Sequence, residues 1–185
     1  MKYIKRSFLP LCASVILMSC VGDLQYNSPF ACRFHFDNSI HLNSLMAAAV
    51  TPNSNIYLKI NTKFTHQITY TVLQTYGGES QEIPMTTEIE SYGKNELGGN
   101  NQLILGYNTL DEKIVAYDGM CRFCYEQSNR YTNLTLISSF EAKCPRCNKV
   151  YNLMMSGISD DDNPTQLWQY HVSAPNPYGI ISISR

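Results

Sequence analysis

Four cysteines fall as Cys121-Arg-Phe-Cys124 and Cys144-Pro-Arg-Cys147, with 19 residues between the pairs. No other feature of this 185-residue chain restricts its fold as much. A two-residue gap in a tight turn aims both sulfurs of a pair at one point. Two such turns, brought together by a hairpin, make a tetrahedron of thiolates. Pro145 presets the second turn, and Asn148 stands where such a turn takes a left-handed residue. Tyr151 and Leu153 are then placed to pack beneath. The expected loop subdomain covers about 118–155.

Four thiolates without histidine suit zinc or iron. Zinc would be structural, because a closed four-cysteine site keeps no open position. Iron would make a one-electron carrier, either as a single ion or as a 2Fe–2S cluster. Metal is favoured over disulfides, and zinc over iron. Disulfides remain a rival, because the N-terminus reads as an export signal.

Lys2, Lys5 and Arg6 precede an apolar run over 8–18. This is the pattern of a secretory signal, too short and too interrupted by Pro10 to span a bilayer. The run ends Leu17-Met18-Ser19-Cys20, which resembles a bacterial lipobox. The reading is a signal peptide over 1–19, lipidation of Cys20 and a polar tether over 20–30. A membrane anchor through Cys20 follows, in the envelope of a Gram-negative bacterium with the outer membrane favoured. Cys12 leaves with the leader, and Cys32 reads as a small buried apolar residue.

The full chain has 14 Lys+Arg against 15 Asp+Glu. Loss of the three leader cations leaves 11 against 15, a net of −4. That balance gives no electrostatic footprint for nucleic acid. No catalytic triad, phosphate loop or zinc-protease motif is present. His35, His41, His66 and His171 are scattered and read as surface or strand residues. Asp160, Asp161 and Asp162 lack the Gly and Glu of a calcium loop and read as a turn. Arg122, Arg130, Lys143 and Arg146 surround the cysteines in sequence and read either as a partial offset of thiolate charge or as ordinary surface charge.

The remainder, 31–185, reads as one mainly β domain. A short helix is expected over 42–50, capped by Asn38 or Ser39. Strands are expected over 31–36, 56–60, 68–73, 103–107, 113–117, 134–137, 149–153, 167–172 and 180–183. The pair at 103–117 makes a hairpin with a five-residue loop over 108–112. Residues 79–102 read as a long loop or a weak local element, and no helical periodicity follows residue 50.

The chain from about residue 100 onward resembles a Rieske-type domain. Ala116-Tyr117-Asp118 stands immediately before the first cysteine loop. Cys144-Pro145-Arg146-Cys147 occupies the place of that family's Cys-x-x-His. Val150-Tyr151-Asn152-Leu153 leads to Gly157, Leu167-Trp168-Gln169-Tyr170-His171-Val172 matches a later strand, and 179–183 matches the closing one. The mature chain is also similar to Rieske-like lipoproteins of Gram-negative bacteria with paired Cys-x-x-Cys loops, which share Asp37-Asn38-Ser39 and His41. The resemblance implies an antiparallel β-sandwich or barrel with two ligand loops at one end. It does not carry over a histidine-ligated cluster, because Phe123 and Cys147 stand at the histidine positions. The implied function is a structural or binding accessory protein of the envelope. Electron transfer is the alternative, and a metal-free domain with two disulfides the second.

Overall fold

The computed structural model describes Tyr26, residues 28–91 and residues 95–185. The leader and Cys20 lie outside the described residues. The fold is mainly β and antiparallel. Nine strands form one sheet in the order β4-β3-β2-β6-β7-β12-β13-β1-β5. They are β1 (Cys32–Asp37), β2 (Tyr57–Thr65), β3 (Ile68–Thr75), β4 (Ser80–Pro84), β5 (Glu96–Leu97), β6 (Leu103–Asn108), β7 (Lys113–Asp118), β12 (Gln169–Ser173) and β13 (Ile180–Ser184). A second sheet has four short strands, β8 (Thr135–Leu136), β9 (Glu141–Lys143), β10 (Val150–Asn152) and β11 (Ile158–Ser159), in the order β11-β10-β9-β8.

The large sheet curls around one core. Strand β12 turns the corner: Gln169 and Tyr170 pair with β7, while His171, Val172 and Ser173 pair with β13. As a result Phe34 and Phe36 from one end share a core with Leu73 and Ile83 from the other. Helix α1 (Leu45–Val50) packs Met46, Ala49 and Val50 into the same core. Its cap is Ser44, not Asn38 or Ser39. The Ser44 hydroxyl accepts from the Ala47 N–H at 3.0 Å and itself donates to Asn38 Oδ1. Asn38 therefore braces the cap rather than forming it.

Strands β6 and β7 are buried on both faces. Leu103 and Leu105 point into the first core, while Ile104 points into a second core with Tyr57, Val115 and Tyr117. Side chains alternate along a strand, so burial of both faces demands an unbroken apolar run. Leu103-Ile104-Leu105 supplies one. Gly106 is required at the crossing with β2: a Cβ there would lie 2.7 Å from the Tyr57 ring and from the Ile56 carbonyl. The hairpin loop is one residue shorter than expected, because Asn108 pairs with Lys113 inside the ladder. The Asn108 side chain then accepts from the Leu110 and Asp111 amides.

Residues 79–102 follow the second of the two expectations, local elements rather than one long loop. They contain β4, the single turn α2 (Glu88–Ser91), β5 and a 3₁₀ turn over Gly98–Asn100. Strand β4 buries only Ile83 and ends in Pro84, as an edge strand can. In α2 the buried carboxylate of Glu90 accepts from the Asp37 amide at 3.1 Å and the Thr87 hydroxyl at 3.1 Å. His41 Nε2 lies 3.2 Å from the same carboxylate. A polar anchor thus fastens α2 to β1.

A second buried carboxylate, Asp118, ends β7. It accepts from the Gly99 amide at 2.9 Å, the Met120 amide at 2.9 Å and the Tyr170 hydroxyl at 2.7 Å. Ser28 lies 2.9 Å from the same hydroxyl, and the Phe30 ring packs against Tyr125 and Trp168. The domain therefore already holds the chain at Ser28, within the stretch read as tether. Burial raises the Asp118 pKa, and the Tyr170 bond holds it down. Tyr170→Phe should cost about 1–3 kcal/mol by leaving a buried carboxylate short of a donor. Its own Asp118 pKa should rise further, so the cost should be complete above that value and shrink as pH falls through it. Urea unfolding at neutral and acidic pH measures both effects.

Candidate metal centre

The first cysteine loop opens a helix that the sequence reading lacked, α3 (Arg122–Ser128). Cys121 stands at its N-cap and Cys124 in its first turn. Asn129, at φ 51°, ends it, and its N–H bonds the Cys124 and Tyr125 carbonyls. No apolar period announces this helix. Its inward positions are Cys124 and Tyr125, which packs among Phe30, Tyr131 and Trp168 at centroid distances of 5.0, 5.5 and 5.7 Å. The Arg122 guanidinium lies 5.3 Å from the Trp168 ring centre and pairs with Glu126 at 2.6 Å. Arg122 therefore docks α3 on the sheet.

The second loop joins β9 to β10. The Cys144 N–H donates to the Lys149 carbonyl at 2.9 Å, and the Asn148 N–H to the Cys144 carbonyl at 3.0 Å. Asn148 has φ 62°, the left-handed turn expected of it.

The structure brings the four sulfurs together. All lie within 4.8 Å of one another. The close approaches run across the loops, Cys121 to Cys147 at 3.6 Å and Cys124 to Cys144 at 3.6 Å. These are free thiol separations, far beyond the roughly 2.05 Å of a disulfide. A metal bound by four thiolates at about 2.3 Å places its sulfurs about 3.8 Å apart. The cluster thus has the size of a single tetrahedral ion. Among the described residues no other group of three or more Cys, His, Asp or Glu side chains converges in this way. His171 stacks on Tyr26 in β12, His35 bonds Ser182, and neither belongs to the site. Asp161 is held by Lys149 at 2.7 Å, so the acidic run is a salt-bridged turn.

Cys121, Cys124 and Cys144 are buried, and Cys147 is partly exposed. Beneath them lie Tyr151, Leu153, Leu134 and Ala142, continuous with Tyr117 and Ile104 of the large sheet. Burial pushes the Cys121 thiol well up, against the Tyr151 hydroxyl and the Cys124 amide, which hold it down. Burial and the neighbouring Cys144 push Cys124 up to about 11. At Cys144 burial acts upward too, but the Cys147 and Arg146 amides and the adjacent sulfurs outweigh it, and its pKa falls below the ordinary thiol value. The fold thus supplies donors for negative sulfur in an apolar setting, which suits a thiolate–cation site.

Sequence reasoning placed Tyr151 under the site but missed what its hydroxyl does. That group lies 3.2 Å from Cys121 Sγ. Burial, then Cys121, pushes its pKa up, so it keeps its proton and donates to the sulfur. Lys149, 4.6 Å from the Phe123 ring centre, covers the outer side.

No protein-family model, curated protein or solved structure matches the chain.

Tyr151→Phe keeps the ring and removes the donor. It should weaken metal affinity about tenfold or more, as loss of a ligand's hydrogen-bond partner typically does. Competition with a chromophoric chelator measures this. If the site holds a metal, its removal by a chelator should raise amide hydrogen exchange across 121–153 and leave β1 and β3 protected, because their buried side chains lie in the first core. Uniform loss of protection would show that the cores unfold together.

Proposed function

We propose that this chain is a lipid-anchored accessory protein of a Gram-negative cell envelope, outer membrane favoured, in which Cys121, Cys124, Cys144 and Cys147 hold one zinc ion as a structural fastening. The convergence of four sulfurs within 4.8 Å carries the metal reading. Four thiolates complete the coordination of zinc and leave no site for substrate, so the ion pins two loops and the domain works by binding. The compactness of the set favours one ion over a two-iron cluster, which divides its thiolates between two metals and needs a wider mouth. The lipid anchor rests on Lys2, Lys5, Arg6 and the Leu17-Met18-Ser19-Cys20 sequence. The Rieske-like reading is supported by the β6–β7 hairpin feeding the first loop and by the convergence of both loops' sulfurs.

One observation favours a second reading. Cys147 is partly exposed, which gives an iron in the same place a short route for electrons to a partner. In an oxidising compartment the cross-loop approaches would also allow Cys121–Cys147 and Cys124–Cys144 disulfides.

Metal analysis, thiol titration and an absorption spectrum of the purified protein separate the three. The zinc reading expects one zinc, no visible colour and metal-shielded thiols at these positions. Red or brown charge-transfer bands would replace it with electron transfer. Metal-free protein lacking free thiols at the four positions would replace both. Cys144→Ser should abolish stoichiometric metal and lower the thermal unfolding temperature, since binding free energy at such a site is folding free energy.

A further inference from the structure

We propose that the apolar groove beside the β6–β7 hairpin is the face that rests on the lipid bilayer. This rests on the Cys20 anchor proposed above. Six residue steps separate Cys20 from Tyr26. At full extension they span about 20 Å. A domain of this length is roughly 40 Å across. The tether therefore reaches only half the domain's width, and the membrane must lie on the side where Tyr26 is held.

Tyr26 stacks on His171 with ring centres 4.2 Å apart and planes at 6°. It lines a cleft whose other wall is Tyr107, Glu112 and Lys113 of the hairpin. Leu110, in the same turn as Glu112, lines a neighbouring groove with Tyr57, Phe140, Met154 and Met155. Leu110 is 67 % exposed, Phe140 46 % and Met155 60 %. They come from three different turns, between β6 and β7, β8 and β9, and β10 and β11. Three loop tips presenting large apolar groups on one surface form a patch that water does not favour. Charge does not draw this face to a membrane: Lys113 lies 3.6 Å from Asp111, and the mature chain has a net of −4. The contact is apolar side chain against acyl chain, held in place by the tether. It also sets the cysteine loops near the bilayer, since Met154 and Met155 follow the strand that carries Tyr151.

Full-length protein, processed and acylated in a Gram-negative host, is reconstituted into phosphatidylcholine vesicles with brominated or ordinary acyl chains. The Leu110→Trp variant should add emission that is blue-shifted and lost in the brominated vesicles. Trp168, 4 % exposed, gives the constant background. Phe64→Trp is the control, because Phe64 is 72 % exposed and seven residues along β2 from Tyr57, about 24 Å away. Its emission should be unaffected by bromine. Phe140→Asp with Met155→Asp, added to Leu110→Trp, should restore the emission while the protein still floats with the vesicles.

Unquenched Leu110→Trp on floating vesicles overturns the face assignment and leaves the anchor standing. Equal quenching of Leu110→Trp and Phe64→Trp overturns it too, because the domain then has no preferred face. Protein that does not float overturns the anchor and this inference together. In a Cys20→Ser form, shielding of Leu110→Trp from acrylamide that grows with protein concentration would assign the groove to a second copy and overturn the bilayer.

Discussion

Strands β6 and β7 have no solvent face. One side closes the core that the curled sheet surrounds, and the other supports the cysteine loops through Tyr57, Ile104, Val115 and Tyr117. The Tyr57 and Tyr117 hydroxyls both donate to the Leu153 carbonyl, at 3.2 and 2.9 Å. Two side chains from the large sheet thus grip the strand end that leaves the second loop. The cysteine subdomain is therefore seated on a rigid platform rather than suspended from a linker, and the geometry of its sulfurs inherits that rigidity.

The second core is apolar and aromatic except at the cysteines, whose thiolate forms would repel one another without a cation. Three buried cysteines face one another in a setting that raises the thiol pKa at Cys121 and Cys124. Burial of unpaired thiolates is costly, while protonated thiols lose the benefit of the amides and the Tyr151 hydroxyl directed at them. A bound cation would resolve this conflict, because it would stabilise the thiolate form that those donors already favour. The same reasoning makes acid the natural agent of metal loss: protons compete for the sulfurs.

Two buried carboxylates do a related task without any metal. Glu90 ties α2 to β1, and Asp118 ties the end of β7 to Tyr170, to the Gly98–Asn100 turn and, through the hydroxyl beside Ser28, to the start of the domain. Neither residue has a hydrophobic alternative, because each accepts from backbone amides that have no ladder partner at the sheet's corners. These anchors fix where the N-terminal segment meets the domain, and hence which face the proposed lipid anchor presents to a membrane.

The sequence by itself determined the β class, the two cysteine pairs, the left-handed turn at Asn148 and the place of most long strands. Each of these is a local matter, set by spacing, by branched and aromatic runs, or by one residue's backbone preference. It also carried the hairpin, missing its length by one residue because Asn108 serves as both ladder and cap. It did not reveal α3, whose inward positions are a cysteine and an aromatic rather than a repeating apolar face. Nor did it reveal β4, β5 and α2, which bury little and exist because Glu90 and the sheet edge hold them. Only the tertiary structure decided that Cys121 faces Cys147 and Cys124 faces Cys144. Sequence spacing brings the sulfurs of one pair together, whereas the approach of the two pairs depends on how α3 and the β9–β10 turn both settle on the platform of β6 and β7.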